Sequence, residues 1–251
     1  LFFGNLLTSK LATVEEKYMY EYKRVLIGLD LTAIDEILIK YTNYLCGLLE
    51  VDKVYFFHVA KSFELPSGLL EKYPNLIAPV DETIENEIQQ KVDKYFTSKT
   101  EYVIEIKEGN SSDQILRWAD FKEIDLVIVG KKTDLLGDGE LPNKLVKTSH
   151  CSILFVPETA KTQISNIMIP LDFSKTGKMS LDIGAKLQKL TNSKLLIHHS
   201  YIVPFGYHTT GKTYHEFSDI MHNHAKNDLD TFIRSILDSG ITVEEVLTLD
   251  E

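Results

Sequence analysis

Cysteine is scarce in this chain: Cys46 and Cys151 are the only two in 251 residues. They are too few and too far apart for a disulfide framework or a thiolate metal site. Each lies in an apolar segment, where a reduced thiol packs as a small hydrophobe, and this usage predicts a cytoplasmic protein. No apolar run approaches the roughly 18 residues of a membrane span. The opening stretch LFFGNLLTSKLA has no cationic segment before its apolar start, which argues against a signal peptide. Basic charge is also in deficit, with 27 Lys and Arg against 37 Asp and Glu and a formal charge of -10. That balance argues against nucleic acid or an anionic membrane as the main partner. Catalytic signatures are missing as well: the sequence has no G-x-S-x-G elbow, no H-E-x-x-H and no paired-cysteine redox motif.

What the sequence does contain is a repeat. Arg24 to Asp30, RVLIGLD, returns as Asn166 to Asp172, NIMIPLD, 142 positions later. Each copy is followed by a helical pattern and then by a second apolar run that includes histidine, KVYFFHV and KLLIHHS. A period this long marks a duplicated domain rather than a solenoid. Short apolar runs without alternation suit strands covered on both faces, so each copy reads as a βαβ unit of a parallel sheet. Ligands of such sheets sit at the carboxyl ends of the strands, where Asp30 and Asp172 fall. With 43% hydrophobic and 25% charged residues the chain is able to bury a core.

Taken in order, residues 1–21 form an N-terminal extension, with a short helix expected around Thr13 to Tyr20. The apolar Leu1, Phe2, Phe3, Leu6 and Leu7 need cover from the body or a partner chain. Residues 22–158 read as a complete doubly wound α/β domain of five strands. Its strands are expected at Val25 to Leu29, Val54 to Val59, Tyr102 to Ile106, Leu126 to Val129 and Ile153 to Val156. Helices are expected at Thr32 to Leu49, Asp81 to Lys99, Ser111 to Phe121 and beyond Gly139. Residues 159–251 repeat only part of this, with strands at Ile167 to Leu171, Leu195 to His199 and Thr242 to Leu247 and helices at Ser174 to Leu190 and about Phe217 to Leu237. A parallel sheet ending there leaves an apolar edge. The natural chain is therefore expected to continue past Glu251, or another chain to cover that edge. Because Leu1 is not an initiator methionine, the natural product is also expected to start upstream or to be processed.

From about residue 22 to 251 the chain resembles the tandem-domain universal stress proteins. The residues that carry the resemblance are VLIGLD and IMIPLDFS, the strand-end pair His58 and Val59, DLVIVG at Asp125 to Gly130, and GELPNKLVKTSHCSILFVP at Gly139 to Pro157. The resemblance implies an adenine-nucleotide α-hydrolase-like fold, a cytoplasmic stress-response role and dimerisation through the last strand of the domain. Some members of that family bind ATP and others do not. In those that do, the Asp after strand one and a residue ending strand two hold adenine, and a loop of pattern G-x2-G-x9-G-[ST] holds the phosphates. Asp30, Val59, Gly130 and Gly139 fall on matching positions. Thr133 stands at the second glycine, the loop is shorter than the pattern, and Glu140 replaces the final hydroxyl. A carboxylate about 4 Å from a phosphate costs roughly 1 kcal/mol per charge pair in water and roughly 4 at an effective dielectric of 20. In the second domain Asp172 and Ser200 match the adenine side, and no phosphate loop is present in this sequence.

Two further features compete. Gly206 to Thr213, GYHTTGKT, matches the P-loop pattern, with Gly206, Gly211, Lys212 and Thr213 in the positions that would wrap phosphates and hold Mg²⁺. A P-loop needs a strand running straight into its first glycine, and Pro204 interrupts here. His215, His222 and His224 form a second cluster, joined by His208, His198 and His199 as metal-site candidates. A solvated or partner-facing histidine set is the plainer account. The leading expectation is a regulatory or interaction module with a degenerate nucleotide pocket, acting as a homodimer or with a protein partner. The alternatives are an ATP-binding, slowly hydrolysing switch and a metal-responsive binder.

Overall fold

The computed structural model describes residues 21–60, 72, 78–132, 140–236 and 241–250. The chain divides into two compact units between Thr162 and Gln163. The expected N-terminal helix lies outside the described residues.

The first unit runs β1 (Arg24–Leu29), α1 (Ile34–Leu48), β2 (Lys53–Ala60), α2 (Ala78–Tyr95), β3 (Glu101–Glu108), α3 (Ser111–Phe121), β4 (Leu126–Lys131), α4 (Glu140–Thr148) and β5 (Ser152–Pro157). Its strands form one sheet in the order β3-β2-β1-β4-β5, and every pairing is parallel. The chain winds outward from β1 in both directions, so the order reverses between β1 and β4.

Alternation along the strands supplies two cores. Val25, Ile27, Val54, Phe56 and Ile128 meet Leu38 and Ile39 of α1 and Ile88 and Val92 of α2 on one face. Leu26, Tyr55, Phe57, Val127 and Val129 meet Ile115 of α3 and Leu145 of α4 on the other. This is why the strand sequences are apolar without a gap: both faces are covered. Asn110 caps α3 by accepting the N–H of Asp113 at 3.2 Å. Helix α2 begins three residues earlier than the sequence suggests, because Pro79 sits in its first turn, where no N–H is required.

The second unit comprises β6 (Asn166–Pro170), α5 (Lys175–Thr191), β7 (Lys194–Ile202), α6 (Tyr214–Ile236) and β8 (Val243–Asp250). Its three strands are parallel in the order β6-β7-β8. Ile169, Leu195 and Ile197 of the sheet bury against Leu181 and Ala185 of α5 and Leu229 and Ile233 of α6. Met168, which points to the opposite face, is 59% exposed. Ser174 caps α5 through the Gly177 N–H at 3.0 Å, and Asn192 ends the helix in the left-handed conformation at φ 54°.

Candidate functional site

The reversal of strand order between β1 and β4 opens a cleft of about 790 Å³ at the carboxyl end of the first sheet. That volume lies within the range of small-molecule sites, and the position is the one at which open α/β sheets bind ligands. Its walls are apolar, from Ile34, Leu38, Phe57, Ile115, Val129 and Phe155, while Lys131, Lys132 and Lys147 supply positive charge. Asp30, Val59 and Gly130 line it too, so the structure brings together these three expected residues. Thr133 and Gly139 lie outside the described residues, as does the side chain of Glu140.

Asp30 follows β1 directly and is followed by Leu31 at φ 63°. Its Oδ1 accepts the Thr32 N–H at 3.1 Å and the Thr32 hydroxyl at 2.5 Å, while its Oδ2 meets Lys132 Nζ at 2.6 Å. Burial acts to raise its pKa, but Lys132 and Thr32 outweigh burial and hold the carboxyl below the ordinary aspartate value. It is therefore an anion at neutral pH. His58, at the end of β2, donates Nδ1–H to the Leu29 carbonyl at 2.9 Å, which fixes the ring against the end of β1.

Gly130 has a packing reason to be glycine. A Cβ there would lie 2.6 Å from Ile34 Cδ1. The close approach brings β4 against the start of α1 and holds the mouth of the cleft next to a helix N-terminus. Substituting Gly130 would thus disturb packing before it reported on any ligand.

Residues 21–157, more than half of the chain, match the family model described as the universal stress protein family. The chain belongs to the universal stress protein family. Among solved structures it is similar to a universal stress protein from Archaeoglobus fulgidus, at 16% identity and a TM-score of 0.66, with 92% of this chain and 80% of that one covered. A second similar structure, a protein of unknown function from Pseudomonas aeruginosa, has 10% identity and a TM-score of 0.60, covering 93% of this chain and 75% of that one. At these identities the likeness shows the fold. No curated protein sequence matches the chain.

In the second unit of this universal stress protein the strand-end turn recurs. Phe173 has φ 59°, and Asp172 Oδ1 accepts the Ser174 N–H at 3.0 Å. His199 donates Nδ1–H to the Leu171 carbonyl at 2.8 Å, as His58 does to Leu29. Ser200, the other residue expected here, instead shares a hydrogen bond with Thr248 at 3.0 Å, and Thr248 also meets His198 Nε2 at 2.9 Å.

The GYHTTGKT segment folds as a 3-10 turn, Tyr207–Thr210, between glycines of positive φ. The N–H groups of Tyr207, Thr209 and Gly211 donate to Pro204, Gly206 and His208 carbonyls. Thr213 precedes α6 in a capping box: its N–H and hydroxyl donate to Glu216 Oε2 at 2.9 and 2.8 Å, and its hydroxyl oxygen accepts the Glu216 N–H at 3.3 Å. The T-x-x-E spacing was the legible sign of that role. Thr213→Ala is expected to cost about 1 kcal/mol through the lost cap, measured by urea unfolding. A cost near zero would mean the cap is dispensable. Of the histidines, His222 Nδ1 meets the Tyr201 hydroxyl at 3.1 Å and His224 Nδ1 meets Asp228 at 2.9 Å. Among the described residues no group of three or more His, Cys, Asp or Glu is placed to hold a metal ion.

The residues around the cleft that the sequence reading missed are Lys132, which pairs with Asp30, and the pair Asp35 and Lys91 behind it. No helix among the described residues is long and apolar enough to cross a membrane.

Proposed function

We propose that this universal stress protein is a regulatory module whose first unit binds an adenine nucleotide in the cleft, with binding rather than turnover as its output. The observation that carries this reading is the juxtaposition of Asp30, an anion between apolar walls, with lysines 131, 132 and 147 in one cleft. A flat base fits against Ile34, Phe57 and Val129, with Asp30 accepting from its amino group, and the lysines suit phosphate. Gly130 brings backbone close to that mouth, as an anion site requires. In the sequence, Glu140 stands in place of the hydroxyl that closes the family's phosphate loop, a change to negative charge that disfavours a long phosphate chain, so a monophosphate is favoured over ATP.

Calorimetric titration of the protein with adenosine, AMP, ATP and GMP tests the reading. AMP is expected to bind more tightly than ATP and far more tightly than GMP. Lys132→Met is expected to weaken AMP about tenfold, the loss of one charge-assisted contact. Adenosine, lacking phosphate, is expected to bind Lys132→Met at least as well as the wild type, because the Asp30 carboxylate is released from its lysine. Lys212→Ala is expected to leave all affinities unchanged. Equal binding of GMP and AMP, or no adenine ligand bound at all, would overturn the proposal, and loss of binding in Lys212→Ala would move the site to the GYHTTGKT loop.

A protein partner or a second copy of the chain is proposed for the second unit. The supporting observation is its exposed apolar side chains Met168, Ile202 and Phe205. Sedimentation at rising concentration, expected to show association that Phe205→Ser weakens, checks it.

A further inference from the structure

Asp35 lies behind the cleft rather than in it. It is wholly buried at the start of α1, with 0% exposure, on the same helical face as Leu38 and Ile39. A buried carboxylate in an apolar core is expensive unless it is paired and hydrogen-bonded. Asp35 is both. Its Oδ2 takes Lys91 Nζ of α2 at 3.1 Å, and its Oδ1 accepts the backbone N–H of Asp30 at 3.1 Å. Its own N–H returns to the Thr32 carbonyl at 3.2 Å.

The turn Asp30-Leu31-Thr32 is thereby closed twice around Leu31, a residue in a left-handed conformation that side chains with a Cβ rarely adopt. The same turn in the second unit shows that it does not of itself require a buried charge. Five residues after Asp172 stands Gly177, and Phe173 is held by ring contacts with His199 at 4.4 Å and Phe232 at 5.3 Å. The first unit uses a buried ion pair where apolar packing suffices in the second. That choice ties α1 to α2 through Lys91 and fixes the position of Asp30 beside Lys132.

We infer that Asp35, oriented by Lys91, is a positioning residue for the cleft: it holds the Asp30 backbone so that the Asp30 carboxylate faces the ligand and Lys132 together. This rests on the nucleotide-binding reading above. Neither residue touches the ligand.

Two variants of the whole chain test it. Asp35→Asn keeps an oxygen acceptor for the Asp30 N–H, whereas the double variant Asp35→Leu, Lys91→Met replaces the ion pair with apolar side chains and removes the acceptor. Swapping a buried pair for apolar groups is commonly neutral for stability, so the double variant is expected to fold. Its AMP affinity is nevertheless expected to fall about tenfold, the cost of an unsatisfied backbone donor at the site, and its Asp30 amide resonance to shift and exchange faster. Asp35→Asn, although it melts lower, is expected to keep most of the affinity and the wild-type Asp30 amide signal. A purely structural role predicts the reverse, with affinity following melting temperature. Wild-type affinity in the double variant, or equal loss in both variants, would overturn the inference. Should the wild type bind no adenine ligand, the functional reading falls and the Asp30 amide decides the positioning alone: an amide unmoved in the double variant refutes it, and a shifted one upholds it.

Discussion

Phe56→Ala is expected to destabilise the first unit by about 3–5 kcal/mol, the cost of emptying a fully buried aromatic site. Phe56 is 0% exposed in the middle of β2. Its ring meets Phe96 edge-on at 5.3 Å and Tyr102 at 5.6 Å, and those two meet each other at 5.8 Å. The three rings come from β2, the end of α2 and β3, so the cluster fixes α2 to the sheet. The same helix carries Lys91, so loosening it also frees Asp35. For a unit of this size the melting transition should fall by roughly 2–4 °C per kcal/mol, read by differential scanning calorimetry. Phe56→Leu, which retains most of the volume, is expected to cost well under half as much. A loss below about 1 kcal/mol in the alanine variant would show that the site collapses freely.

The first unit was legible because its strands carry the signal twice. Val25 to Leu29 is apolar without alternation, which only a strand covered on both faces needs, and Val25 and Leu26 indeed go to different cores. Asp30 was legible from its place at a strand end. Lys132 and Lys91 were not: they reach Asp30 and Asp35 across 102 and 56 residues, and no local period reports a contact of that span. One sign was available. Asp35 stands on the apolar face of TAIDEILI, a position where a charge survives only with a partner. Helix α2 starts at Ala78 rather than at Asp81 because proline, a breaker inside a helix, is accommodated in a first turn. GYHTTGKT shows the converse, a complete letter pattern in which the Tyr207, Thr209 and Gly211 N–H groups are engaged in a turn and the Thr213 hydroxyl in a cap. Spacing alone does not say which groups remain to meet a ligand.

Lys91→Met is expected to cost about 2–3 kcal/mol at pH 8 and clearly less at pH 5. Removing one partner of a buried pair leaves an uncompensated charge, worth about 3–5 kcal/mol when both are fully buried; the Lys91 side chain is 23% exposed, so water moderates the loss. The pH dependence follows from Asp35. Burial pushes its carboxyl above the ordinary aspartate value, more than the Asp30 N–H and Lys91 draw it down. Without Lys91 it moves higher still. A carboxyl whose folded pKa lies above its unfolded one adds stability that is complete below the unfolded value and is lost as pH rises through the folded value. The variant widens that window upward, so its deficit grows with pH, while Lys91 in the wild type stays charged throughout. Asp30 runs the other way: its lowered pKa gives stability present above the unfolded value and lost as pH falls through the folded one, in wild type and variant alike. Subtracting the two urea unfolding curves at each of several pH values between 5 and 8 cancels Asp30 and leaves the two carboxylates that Lys91 meets, Asp35 in the core at 3.1 Å and the exposed Glu87 one turn earlier on α2 at 3.0 Å. A deficit that stays flat across this range, or grows toward pH 5, would mean that Lys91 does not compensate Asp35, and the pair would lose its claim to hold the Asp30 turn.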